Sequence, residues 1–379
     1  MKTRFVTTIS WAALGWLAAA VNAAAQLGAG TYMTTSIPQG SLVLPLAGGS
    51  DNYTSLPVQH IAAVSAAVLS ANQTNTTATI TMQPPTTLTP NQFVYSAGVQ
   101  SQTFYVQFLS GARAGMFYTV TANGMNTVTV DPNGDTGLAA ALGNGTAFTV
   151  IPYWTLNTVF FEGAGVYPTT NATLRTVVLT PNVTGAGINL PPAASYYYFT
   201  GNGSAIWKKV GDSSNKDYGD LPLAPDLYFI VRQPLKSQNT TLDVEGVVPM
   251  SQVATVVGNL KAKTAQDNAV ALPVPENVTL GNSGLYPNVI GGSPGLTPTD
   301  SLLVYDPAVI RQNKTATAIY FYYTGAQFGG PGWRKQGAPT VICNNQPILV
   351  AGQGFIIRRA ARPEPNTVTW AYLPSYLQQ

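Results

Sequence analysis

Six residues fall at two sets of matching positions. They are Trp207, Lys208 and Arg232, then Trp333, Arg334 and Arg358. An exposed indole face stacks on a pyranose ring, and a cation beside an aromatic ring binds through the ring's negative face. These six are therefore the candidate ligand-binding residues, and carbohydrate is the ligand class they suggest. The same residue types also build cores. A Trp opposite a Tyr across a hairpin adds roughly 0.2–1 kcal/mol. Recurrence at strand positions favours this structural role over a sugar platform.

Acid–base and metal chemistry have little to work with. His60 is the one imidazole and Cys343 the one thiol, which excludes a multi-His metal site, a Cys-rich zinc site and an intrachain disulfide. A hydrolase triad would have only His60 as its base, and no nucleophile elbow accompanies it. Cys343 reads as a buried, inert thiol. Asp131, Asn133 and Asp135 alternate in Asp-Pro-Asn-Gly-Asp, a weak calcium candidate. The sixth position of that loop is Thr136 and no Glu stands at the twelfth, so a solvated turn is the simpler reading. Asp212, Asp217 and Asp220 cluster in a polar loop whose counterpart, residues 337–345, has no acid. No pair of carboxylates is selected for glycoside hydrolysis, and no nucleotide-binding loop is visible. The expectation is a chain without catalytic chemistry and without a cofactor.

Composition narrows the partners. The chain has 379 residues, a net charge of +3 and only 9% charged residues, against about 25% in a typical soluble domain. No basic stripe exists for nucleic acid. With 45% hydrophobic residues the chain is not disordered by composition. Residues 1–25 read as a signal peptide. Lys2 and Arg4 precede an apolar stretch over residues 5–21, and small residues at Val21, Ala23 and Ala25 fit cleavage after Ala23 or Ala25. The stretch is interrupted by Thr7, Thr8 and Ser10, short of the about 20 apolar residues a span needs. Nothing later is long enough for a transmembrane helix. The mature chain is expected to be exported, to the periplasm, the outer surface or the medium. Ten Asn-x-Ser/Thr sequons occur, and the abundance of Asn and Thr accounts for them.

The elements that would position these residues are strands. Short runs of Val, Ile, Thr, Tyr and Phe alternate with Gly, Pro, Asn and Asp clusters. Strands are expected over 103–109, 116–121, 126–130 and 146–152, with a type I′ turn at Asn123-Gly124. Residues 61–71 are Ala-rich, and strands are preferred there over a helix. Three blocks then recur in order. Residues 196–201 match 320–325, Trp207-Lys208-Lys209 matches Trp333-Arg334-Lys335, and residues 229–232 match 355–358. The offset is 124 residues from Tyr196 to Tyr320 and 126 from Trp207 to Trp333. A weaker echo relates residues 42–46 to 270–274. The expected architecture is all-β, with two to three β-sandwich or β-barrel-like domains and an internal duplication in the second half. The boundaries fall at 26–153 for an N-terminal β domain, 154–249 for the first repeat domain and 250–379 for the second.

Phe104-Tyr105-Val106, Ser110-Gly111, Gly115, residues 126–130 and 151–156, and later 296–305 with Gly354-Phe355-Ile356-Ile357-Arg358-Arg359, carry a resemblance. The chain resembles an uncharacterised family of exported bacterial proteins, found as multiple paralogues in verrucomicrobial-type genomes. That resemblance implies export and a bacterial source, and it transfers no catalytic residue. Tyr228, where the second block has Gly354, departs from the pattern. The function expected is that of an exported structural or surface-binding protein of the envelope, with polysaccharide or envelope proteins as partners. A carbohydrate-binding module, or an enzyme using exposed aromatics, is the alternative.

Overall fold

The computed structural model describes residues 37–170, 175–201 and 203–378; the expected signal peptide lies outside them. The described chain is almost all β. Its two α-helices, Leu138–Ala141 and Leu156–Val159, have four residues each. No described helix is long and apolar enough to cross a membrane. Strands form wherever apolar and polar residues alternate. Ala78–Met82 buries Ala78, Ile80 and Met82 and turns Thr79 and Thr81 outward, as the two-residue period of a strand requires.

A closed barrel of six strands forms first. Its strands are Val64–Gln73, Ala78–Met82, Phe104–Phe108, Phe117–Asn123, Thr127–Val130 and Ala147–Pro152. The Ala-rich stretch lies in the first of these. Val68, Val106, Phe108, Val128, Phe148 and Val150 fill the interior. The hairpin after Asn123 differs from the expected type I′ turn, because Asn123 and Gly124 both keep negative φ. Asn123 instead spends its amide on the neighbouring loop, accepting from the Phe93 N–H at 3.0 Å and donating to the Thr89 carbonyl at 2.8 Å.

Two further sheets share one plan. In the first, the order is Asp51–Thr54, Phe229–Arg232, Val177–Thr180, Ala194–Phe199 and Ile206–Lys209. In the second it is Gln266–Ala271, Gly354–Arg359, Ser301–Val304, Ala318–Tyr323 and Gly332–Lys335, extended by Ala338–Ile342. The registers agree residue by residue. Val178 faces Tyr196 as Leu302 faces Tyr320, and Tyr198 faces Trp207 as Tyr322 faces Trp333. Each sheet is backed by a two-stranded ribbon. Gln39–Leu46 pairs with Thr240–Val247, and Val253–Asn259 pairs with Asn366–Tyr372. Separate apolar cores sit behind the two sheets, around Trp207 and Phe229 in one and around Trp333 and Phe355 in the other.

Strand pairing thus places the segment 39–54, expected with the N-terminal domain, in the first of these two sheets and its ribbon. The counterpart of residues 270–274 is also displaced from the one expected. Asp51 and Asp267 occupy equivalent strands, so Thr54-Ser55-Leu56-Pro57-Val58 matches Val270-Ala271-Leu272-Pro273-Val274. The barrel then stands between Val58 and Trp154. In the second unit only Pro275, Glu276 and Asn277 separate Val274 from Val278. Trp154 pairs with Leu223 as Val278 bridges Leu349, and the Trp154 indole N–H closes the barrel's neck on the Val58 carbonyl at 2.9 Å.

Candidate functional site

The two sheets meet along the strands Asp51–Thr54 and Gln266–Ala271 and exchange arms. Arg232 donates through Nε and Nη2 to both carboxylate oxygens of Asp51, at 2.7 and 2.8 Å. Arg358 does the same to Asp267, at 2.7 and 2.9 Å. Each fork is completed by an arm from the opposite unit. Asn313 donates its N–H to Asp51 at 2.7 Å, and Asn189 donates its N–H to Asp267 at 2.8 Å. The Asp51 N–H reaches the Arg311 carbonyl at 3.0 Å, and the Asp267 N–H reaches the Gly187 carbonyl at 2.9 Å. Asp51 is buried, so a bidentate partner with further donors is what keeps its charge in place.

Between the units a cleft encloses about 380 Å³, a size that suits a small molecule. Tyr53 stacks on Tyr305 with ring centroids 3.8 Å apart and lies 5.3 Å from Tyr228. Burial raises the pKa of all three phenols, so they stay protonated across the physiological range. Ile230 and Ile356, equivalent residues of the two sheets, supply apolar wall. Lys314 lines the same cleft, is 7% exposed and donates Nζ to the Asp306 carbonyl at 3.3 Å. Among the described residues no carboxylate lies within ion-pair distance of it. Burial lowers its pKa.

Of the six residues singled out from sequence, Arg232 and Arg358 come to this interface. They hold the two aspartates, where ring stacking was expected. The other four do not. Trp207 and Trp333 are 1% and 2% exposed, packed in the two cores, so neither offers a face to a sugar. Both point inward from their hairpins, which is the structural role that their recurrence at strand positions favours over a platform. Trp207 lies against Phe160 and Tyr198, and Trp333 stands edge-on to Tyr322. Arg334 is fully buried and donates to the Phe328 and Gly330 carbonyls. Lys208 sits 4.0 Å over the Phe199 ring.

The calcium candidate is already committed within the barrel. Asp135 receives Nε and Nη2 of Arg113 at 2.7 and 2.9 Å and the Tyr118 hydroxyl at 2.8 Å, while Asp131 accepts the Asn133 N–H. Among the described residues no cluster of three or more His, Cys, Asp or Glu could hold a metal. Asp212 and Asp217 serve their own loop, accepting from Tyr218 and Trp207 respectively. The His60 ring lies 3.7 Å from that of Trp154, tilted by 33°, and burial lowers its pKa to about 4.

Sequence reasoning missed Asp51, Asp267, the two asparagines, the three tyrosines and Lys314. The signal for the aspartates was present. Asp-Asn, three residues, then Leu-Pro-Val occurs at 51–58 and again at 267–274. No family model, curated protein or solved structure matches this chain, so the cleft's own geometry carries the functional reading.

Proposed function

We propose that the chain is an exported structural or surface-binding protein of the bacterial envelope, internally duplicated, which works by non-covalent capture between its two sheet units. The cleft carries this reading. Its forked ion pairs engage Nε and Nη2 of both arginines with protein partners, and Tyr53, Tyr228, Tyr305, Ile230 and Ile356 give it an apolar wall. Such a cleft holds a ligand by shape and apolar area on the wall, and its polar lining, Lys314 and Asn182 among it, supplies the orienting groups. The basic, apolar and small-residue succession of residues 1–25 supports export, and the family resemblance supports a bacterial envelope.

The test is cell fractionation of the full chain carrying a C-terminal tag in a bacterial host, with N-terminal sequencing of each fraction. Export predicts a mature chain beginning after Ala23 or Ala25 in the periplasmic, outer-membrane or secreted fraction. An intact chain starting at Met1 and confined to the cytoplasm overturns the reading. Sedimentation of the mature chain with isolated envelope material then measures capture.

A further inference from the structure

The cleft departs from its own symmetry in a chemically directed way. Equivalent positions of the two units can be paired across it. Asp51 answers Asp267, Arg232 answers Arg358, Asn313 answers Asn189 and Ile230 answers Ile356. Four pairs break the pattern. Tyr53 faces the role of Ala269, Tyr228 that of Gly354, Tyr305 that of Pro181, and Lys314 that of Leu190. One half of the cleft is thus furnished with three rings and an ammonium, where the other half has small or aliphatic residues.

The ammonium is the unusual member. A buried charge costs several kcal/mol unless it is paired and fully hydrogen-bonded. Lys314 spends one N–H on the Asp306 carbonyl and has two more to give. Asp51 and Asp306 attract it through space, but among the described residues no carboxylate is in contact with it. Both oxygens of Asp51 and both of Asp267 already accept from an arginine fork, and one oxygen of each accepts an additional backbone N–H. The symmetric post is leucine, so the sheet framework does not require a cation there.

Resting on the binding-protein reading above, we propose that the cleft binds a small organic monoanion, a carboxylate on an aromatic or apolar body, with the carboxylate at Lys314 and the body against Tyr53, Tyr228 and Tyr305. A single carboxylate matches a single open ammonium. A phosphate dianion fits less well, because the carboxyl groups of Asp51 and Asp267 line the same cleft and Nε and Nη2 of each arginine are already engaged with protein acceptors. The volume of about 380 Å³ accommodates a ring with substituents.

Titration calorimetry on the mature chain decides the matter, with benzoate, its neutral counterpart benzyl alcohol, and inorganic phosphate as probes. Saturable one-site binding of benzoate is expected, at least tenfold tighter than benzyl alcohol or phosphate. Lys314→Met should weaken benzoate at least tenfold and leave benzyl alcohol unchanged. Lys314→Leu, which copies the symmetric residue, should do the same and keep the fold by precedent. Ala269→Tyr should reduce both organic ligands by filling the opposite wall. Unchanged melting temperatures verify that the variants are folded. Equal affinity for benzoate and benzyl alcohol, or benzoate binding indifferent to Lys314, overturns the anion assignment and leaves capture standing. Tighter phosphate binding overturns the carboxylate in favour of an oxyanion. Absence of binding by all three probes overturns the cleft as a small-molecule site, whereas a failure of export is read separately by fractionation.

Discussion

Asn313 Oδ1 accepts a hydrogen bond from Arg232 Nη2 at 2.6 Å, as Asn189 Oδ1 accepts one from Arg358 Nη2 at 2.9 Å, each across the boundary between the two sheets. The asparagines stand 124 residues apart in sequence, and both adopt the left-handed backbone, with φ of 52° and 51°. Asn tolerates that region better than most residues. Residue i of one unit meets j of the other, and j meets i, which is the logic of a two-fold dimer interface carried within a single chain. The arms bearing the two asparagines therefore fasten the halves reciprocally.

Reciprocity predicts that the two ion pairs contribute comparably to stability. Arg232→Ala and Arg358→Ala should each strand an aspartate that is 2% or 9% exposed in its side chain, at a cost of about 2–4 kcal/mol. Urea denaturation of both variants should show closely similar midpoints, well below that of the parent. A large effect at one site and none at the other would contradict equivalence.

Tyr228 and Gly354, equivalent in sequence, abut across the same boundary. A Cβ on Gly354 would lie 2.2 Å from the Tyr228 Cβ. Gly354→Ala alone should destabilise by at least the ~1–3 kcal/mol of an overpacked core. In a Tyr228→Gly background the same change should cost little, so a double-mutant cycle should return a coupling above about 1 kcal/mol. Additive effects would mean that the two backbones move apart freely.

How far the fold was legible follows from the range of the signals. Strand identity is local, and Thr127–Val130 and Ala147–Pro152 lie where the apolar runs place them. The match of Tyr196 and Trp207 with Tyr320 and Trp333 marks equivalent hairpins, because the pairs are close in sequence. Asp51 pairs with a strand 181 residues away, and no local pattern announces such a partner. Residues 39–54 therefore read as part of the barrel that follows them. At Trp207 and Trp333 residue type and spacing left two roles open for a related reason. A Trp at a hairpin's return says that a ring is needed there, while burial depends on which face the rest of the chain covers.

His60 and Asp226 pull stability in opposite directions with pH. Burial holds His60 at about 4 against an ordinary 6.5, so the unfolded chain binds the proton more readily and stability falls as pH drops from 6.5 towards 4. Burial raises Asp226 from 3.8 to about 6, so the folded chain binds the proton more readily and stability rises as pH drops from 6 towards 4. Each is worth on the order of 3 kcal/mol. Asp226→Asn should stabilise the protein at pH 7.5, retain an acceptor for the Thr255 hydroxyl and expose the His60 slope between pH 6.5 and 4. His60→Gln should remove that slope. A parallel pH profile in parent and both variants would refute the assignment.

The barrel's attachment predicts that it can be removed. It has its own closed ring of hydrogen bonds and its own core, and its ends enter and leave side by side, where Val64 faces Val150. The second unit makes the same passage from Val274 to Val278 with Pro275, Glu276 and Asn277 alone. Replacing residues 59–153 by Pro-Glu-Asn should thus leave a chain that folds, with the Asp51–Arg232 and Asp267–Arg358 forks intact. The deletion exposes Trp154, Val253 and Ala254, which pack near Tyr105, Phe117 and His60, and it removes the hydrogen bonds of Gln59 with Val247, Gly115 with Ala254 and Ala114 with Gln252. A cooperative denaturation curve is the expected result, with a smaller urea slope in proportion to the surface lost. Residues 59–153 expressed alone should also unfold cooperatively. A shortened chain that is molten, with a normal far-ultraviolet spectrum and no near-ultraviolet tyrosine signal, would show instead that the barrel holds the two sheets in register.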